Sequence, residues 1–198
     1  MKILIAVPTF ESIRPETFKS IYGLQPAGHI LLFDYIKGYD CAHARNLIAN
    51  ECLRDGFDAV LMVDSDIVLP SDALTYLTEG TCPIVLGTYP RRGETKGSEI
   101  FLPGFKDFHE ENRVRFADMP RERFTAKGGG LGCALIRREV FEDLPRPWFH
   151  YKEYDNGAVL SEDNYFCDKA SQHGLPIEAD GRVRCGHVSP TVLWAERG

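Results

Sequence analysis

The sequence predicts an α/β protein: one mostly parallel, mixed sheet of Rossmann-like kind, flanked by helices. Three observations point there. Short, uninterrupted apolar runs such as 59–63, bounded by Gly56 and Pro70, read as strands buried on both faces. Segments of helical periodicity alternate with these runs through the first half of the chain. The 198 residues are 43% hydrophobic and 26% charged, which suits a single globular domain over 1–198.

In chain order, residues 2–7 form a first buried strand that Pro8 stops. Residues 15–22 suit a helix, with Pro15 in its first turn and Gly23 at its end. Residues 28–34 read as a second strand ending on the carboxylate of Asp34. Residues 40–54 read as a helix: Ala44, Leu47, Ile48 and Cys52 recur at helical spacing, and Asp40 is its N-cap. Arg45, Asn46 and Asn50 fall elsewhere on that wheel. After the strand at 59–63, Ser71 caps a short helix through Glu79, and residues 83–89 form another buried strand.

Residues 90–125 carry eight Arg and Lys residues among glycines and acids, and read as a long excursion holding one hairpin. The glycines at 128–130 and 132 allow close backbone approach by a ligand, and a strand follows them. Ser161 caps a helix through His173, with Glu162 and Asp163 in its first turn, where the helix dipole alone accounts for them. Residues 177–187 close the pattern as a strand or hairpin.

The organising feature is the apolar run that ends in Asp64-Ser65-Asp66. Alternation along a strand sends Asp64 and Asp66 to one side and Ser65 to the other. Two like charges side by side call for a cation, and hard oxygen ligands suit Mn2+ or Mg2+. Caps for the next turn explain the pair equally well. The position, beyond the carboxyl end of a strand, is where open α/β sheets collect ligands.

Composition excludes several classes. A net charge of −6 with no basic run argues against general nucleic-acid binding. The six cysteines form no CxxC pair, so a structural zinc site is not expected. The N-terminal apolar run is too short for a signal peptide, and no stretch approaches the length of a membrane span, so a reduced, cytoplasmic protein is expected. The glycine run lacks GxxxxGK[ST], so its signal as a phosphate loop is weak.

Taken together, the motifs resemble the GT-A fold of nucleotide-sugar-dependent glycosyltransferases, especially the family 2 type. Residues 7–10 (Val-Pro-Thr-Phe) look like the strand and turn that cradle the nucleotide, and Ala44-Arg45-Asn46 looks like the ArN segment. Asp64-Ser65-Asp66 looks like the DxD motif, residues 130–141 like the glycine-led strand before the acceptor region, and Glu162-Asp163 like the ED motif. The resemblance implies a nucleotide-binding half at 1–90 and an acceptor-side half at 91–198. It implies donor contacts at Pro8, Thr9, Glu11, Asp34, Arg45, Asp64 and Ser65, and a metal held by Asp64, Asp66 and His187. Asp163 becomes the general base, with Glu162 its helper. The partners implied are a UDP- or GDP-sugar donor and a carbohydrate or other hydroxyl acceptor. By alternation, the Ser65 side chain itself turns away from the metal. The aspartate-rich stretch usual after strand two is reduced here to Asp34. The QxxRW segment of processive synthases is absent, so single addition is expected, and the resemblance implies inversion. A domain this small leaves room for a homo-oligomer that completes the acceptor site.

Two other classes compete. Haloacid-type phosphatases need an aspartate where Pro8-Thr9 stands, and sugar nucleotidyltransferases usually carry a Gly- and Lys/Arg-rich loop after strand one, which is missing. A non-catalytic nucleotide-sugar or carbohydrate-binding protein remains compatible with the same motifs.

Overall fold

A computed structural model of the chain describes residues 1–92, 96–104, 108 and 110–189. Its centre is a seven-stranded sheet in the order β2-β1-β3-β10-β5-β13-β8. The strands are β1 (Lys2–Thr9), β2 (Ile30–Lys37), β3 (Ala59–Val63), β5 (Ile84–Thr88), β8 (Arg123–Thr125), β10 (Cys133–Arg137) and β13 (Ile177–Arg184). β1 runs parallel to β2 and β3, and β13 parallel to β5, whereas β10 and β8 run antiparallel to their neighbours. The expected mostly parallel, mixed sheet is therefore present.

The apolar runs fill both faces. On one face Leu4, Ala6, Val60, Met62, Ala134 and Ile136 pack under α2 (Cys41–Arg54), α4 (Arg138–Asp143) and α5 (Glu162–Gln172). On the other, Ile3, Ile5, Leu61, Val63 and Leu135 pack under α1 (Pro15–Tyr22) and α3 (Ala73–Leu77). Alternate residues of each strand thus feed opposite layers. Each fully buried Leu, Ile or Val contributes about 1.5–3 kcal/mol.

Local signals place several ends where expected. Asp40 caps α2 by accepting from the His43 amide at 3.0 Å. Ser161 caps α5 through the Asn164 amide, and Gly174 leaves that helix with a φ of 75°. The excursion after Pro90 holds a hairpin, in which β6 (Gly97–Phe101) pairs antiparallel with β7 (Arg113–Arg115) and with β9 (Gly128–Gly129). Among the described residues, no helix is long and apolar enough to cross a membrane.

Four details differ from expectation. Pro8 does not stop β1, because β1–β3 pairing ends at Ala6 and the missing N–H falls beyond it. β2 runs on to Lys37, so Asp34 sits opposite Ala6 in mid-strand rather than at its end. α3 begins at Ala73 behind Asp72, not at a Ser71 cap, and stops at Leu77. Asp64, Ser65 and Asp66 lie in a turn closed by the Ile67 amide on the Asp64 carbonyl at 3.1 Å. Strand alternation therefore does not govern where these three side chains point. Small sheets complete the chain: β4 (Ile67–Val68) pairs with β14 (Gly186–His187), and β11 (Lys152–Glu153) with β12 (Val159–Leu160).

Candidate active site

The carboxyl ends of β1 and β3 and the N-terminus of α2 open on a cleft of about 350 Å³. Pro8, Thr9 and Phe10 line it from β1, Tyr39, Asp40 and Cys41 from the entry to α2, and Asp64, Ser65 and Asp66 from the turn after β3. Arg92 and Tyr151 complete the wall. This is the edge where open α/β sheets place their ligands.

Arg45 lies beneath the cleft with only 1% of its side chain exposed. Its Nη2 donates to Asp64 Oδ1 and its Nη1 to Asp163 Oδ1, both at 2.6 Å. Glu162 Oε1 lies 3.9 Å from Nε. Three carboxylates from opposite ends of the chain therefore surround one buried guanidinium. The helical period put Arg45 off the apolar stripe of α2, and the structure buries it nonetheless, because the carboxylates replace the water it loses.

Asp163 also accepts from the Leu131 amide at 3.3 Å, and 20% of its side chain remains accessible. Burial pushes its pKa up to about 7; the Arg45 charge opposes that rise, and the Glu162 and Asp64 charges add to it. The Tyr151 phenol is raised by burial and by the neighbouring Glu162, with which it shares a hydrogen bond. The first turn of α5 is thus more than a dipole-stabilised acidic pair, since its two carboxylates face Arg45 and Tyr151.

Asp66 belongs to a second, more open cluster. Its Oδ2 accepts from Arg92 Nη2 and lies 3.4 Å from His187 Nε2. His187 Nδ1 meets the Pro90 carbonyl at 2.8 Å, which holds the ring with Nε2 toward Asp66. The late histidine reaches this place because β14 pairs with β4 and the Val188 amide bonds the Asp66 carbonyl at 2.8 Å. Burial works against the charge of Asp66, but His187 and Arg92 outweigh it and hold the carboxyl below its usual range. His187 is raised, chiefly by its hydrogen bond to Asp66.

The glycine run serves this chain's own packing. A Cβ on Gly130 would lie 2.1 Å from Tyr89 Oη, and one on Gly132 would lie 2.8 Å from Asp64 Oδ2. The Gly132 amide donates to that same Tyr89 Oη at 3.0 Å. The close approach expected of a ligand is made instead by Tyr89 and Asp64.

Of the residues singled out from sequence, Pro8, Thr9, Asp64, Ser65 and Asp66 share the cleft. Glu162, Asp163 and Asp64 meet at Arg45, and His187 meets Asp66. Ser65 also lines the cleft, and its carbonyl accepts from the Arg14 amide at 2.8 Å. The Thr9 hydroxyl is engaged by the Ser12 carbonyl at 2.9 Å. Glu11 lines a neighbouring groove with Lys37. Asp34 is not brought to the cleft; it lies beside Glu51, whose pKa is raised first by burial and then by Asp34. Arg92, Tyr39 and Tyr151 had no signal in the sequence that tied them to the site.

Among the described residues, no three His, Cys, Asp or Glu side chains converge as a metal cage. Asp66 and His187 do offer one oxygen and one nitrogen donor facing each other. That pair suits Mn2+ better than Mg2+, with a ligand's oxygens filling the other positions.

No family model and no curated protein matches the chain. Solved structures do. A197 from STIV aligns over 96% of this chain and 87% of its own, at 21% identity and a TM-score of 0.63. GalNAc-T7, solved with UDP, GalNAc and Mn2+, aligns over 94% of this chain and 44% of its own, at 12% identity and 0.58. A Drosophila beta-1,4-galactosyltransferase 7 mutant, in complex with manganese, UDP-Gal and xylobiose, aligns over 96% and 72%, at 14% identity and 0.57. The inositol-1-phosphate CTP transferase from T. maritima aligns over 94% and 89%, at 11% identity and 0.51. At these identities the likeness establishes architecture, and the chain has a GT-A-like fold.

Proposed function

We propose that the protein is a family 2-like, metal-dependent glycosyltransferase that moves one sugar from a UDP- or GDP-sugar to an acceptor hydroxyl. The observation that carries this is the shared guanidinium: Arg45 ties Asp64, at the end of the DxD strand, to Asp163, at the start of the ED helix. Asp66 and His187 open on the same region as the metal-holding pair. Asp66 and His187 would hold Mn2+, which would supply positive charge for the leaving group. Phe10 and Tyr39, 70% and 50% exposed at the cleft, offer flat faces to a nucleobase.

Asp163 acts as the base. It takes the acceptor O–H proton as that oxygen bonds to the anomeric carbon and the bond from that carbon to the diphosphate oxygen breaks. A pKa of about 7 suits this work near neutral pH. Attack from the face opposite the leaving group inverts the anomeric configuration. Glu162, with Tyr151, positions the first turn of α5.

A second reading is supported by the likeness to the CTP transferase, whose chemistry breaks a different phosphate bond. Product analysis separates the two. Incubation with nucleotide sugars and Mn2+ releases a nucleoside diphosphate if the first reading holds. Pyrophosphate release from a nucleoside triphosphate and a sugar phosphate, without action on nucleotide sugars, would replace it with the second.

A further inference from the structure

The molecule carries a large apolar surface far from the charged cleft. Among the described residues, β2 is the edge strand of the main sheet and pairs with β1 alone. Its side chains are exposed on both faces: Leu32 at 41% and Ile30 at 67% toward the α2 side, Phe33 at 40% and Tyr35 at 51% toward α1. On α1, Phe18 at 50% and Tyr22 at 88% extend the second group. The Phe18 and Phe33 rings meet edge to face at 6.0 Å. A shallow groove of about 270 Å³ runs between them, floored by Ile5, Ile21 and Leu24.

At roughly 200 Å² for each such side chain fully exposed, the four on the α1 side present on the order of 450 Å² of apolar surface and the two on the α2 side on the order of 200 Å². A standard interface takes about 800 Å² from each partner, an area that the two faces approach only when one partner covers both. The usual protections of an edge strand are sparse. Lys37 stands at its far end, and Asp34 is turned toward Glu51.

We infer that this edge is the interface of a two-fold homodimer, in which β2 pairs antiparallel with β2 of a second copy and continues the sheet. A strand carrying its own layers covers both faces of β2 at once, which a flat membrane surface cannot do. A net charge of −6 also disfavours an anionic bilayer. An antiparallel register centred on Phe33 sets most of the apolar side chains of the strand against one another. With Phe33 opposite its own symmetry mate, Leu31 meets Tyr35, Ile30 meets Ile36 and Leu32 meets Asp34. Centring the pairing one residue later sets Asp34 against itself, and like charges directly opposite are unfavourable.

The test is the mass in solution by light scattering at tens of micromolar, with two variants of the full chain. The parent is expected at twice 22.3 kDa. Phe33→Lys is expected at the monomer mass with an unchanged circular dichroism spectrum. Phe33→Cys is expected to give a disulfide-linked dimer on mild oxidation, where the parent with its native cysteines does not; this arm stands even if Phe33→Lys fails to fold. A monomeric parent, a parent dimer that persists in Phe33→Lys, or a Phe33→Cys variant that fails to cross-link would each overturn the inference. So would a monomeric parent that partitions onto neutral lipid vesicles.

Discussion

The two charge clusters use the same chemistry in opposite ways. At Arg45 the cation is sealed in, 1% exposed, between two carboxylates at 2.6 Å. At Asp66 the cation is Arg92, 66% exposed on a long side chain, with His187 beside it. A buried pair is costly to dismantle, because removing one partner strands the other's charge in the interior. An exposed pair contributes little and exchanges readily. The first cluster fixes the geometry between Asp64 and Asp163; the second holds its arginine loosely enough for another cation to replace it.

Removing the buried cation should have the largest effect. Arg45→Ala is expected to lose about 3–5 kcal/mol of stability, read by urea denaturation, together with all transfer activity. A loss below about 1 kcal/mol would show that the three carboxylates are held by other means. Next comes the base. Asp163→Asn keeps the shape and removes the proton acceptor, so turnover should fall by about 10²–10⁴-fold while donor binding stays within a few-fold. Equal loss of both would make Asp163 a donor-site residue instead.

The pH profile sharpens the same point. Because burial holds Asp163 near 7, its ionised form is scarce below that pH. The rate constant for transfer should rise about tenfold per unit as pH approaches 7 and level off above it. A flat profile from pH 5 to 8 would remove Asp163 as the base. The smallest effect is expected at the open cluster's arginine. Arg92→Ala should change stability by about 0–1 kcal/mol and lower donor affinity several-fold, measured by calorimetry.

The contrast also explains what the sequence made legible. Signals that act within one turn were readable: Asp40 ahead of α2, Ser161 ahead of α5, and Pro15 and Gly23 at the ends of α1. Apolar runs without polar breaks marked β3 and β5, because both faces of those strands are covered. The contact of Arg45 with Asp163 spans 118 positions, and no local period encodes it. The period of α2 sets Arg45 off the apolar stripe, since periodicity counts apolar residues and carries no sign of the carboxylates that bury it. Resemblance to known motifs singled out Asp163 and His187 as residues, yet their companions Tyr151 and Arg92 stand on irregular segments with no repeating pattern. Asp34 was placed at a strand end because the apolar run stops there, whereas backbone pairing carries β2 through to Lys37.

The most direct test of the donor site is the affinity for UDP, measured by calorimetry with and without Mn2+, in the parent and in Asp66→Asn. The parent should bind UDP at least tenfold more tightly when Mn2+ is present, and Asp66→Asn should lose that gain while keeping its metal-free affinity. Equal affinities in both proteins, with or without Mn2+, would contradict a metal-bridged diphosphate at Asp66 and His187.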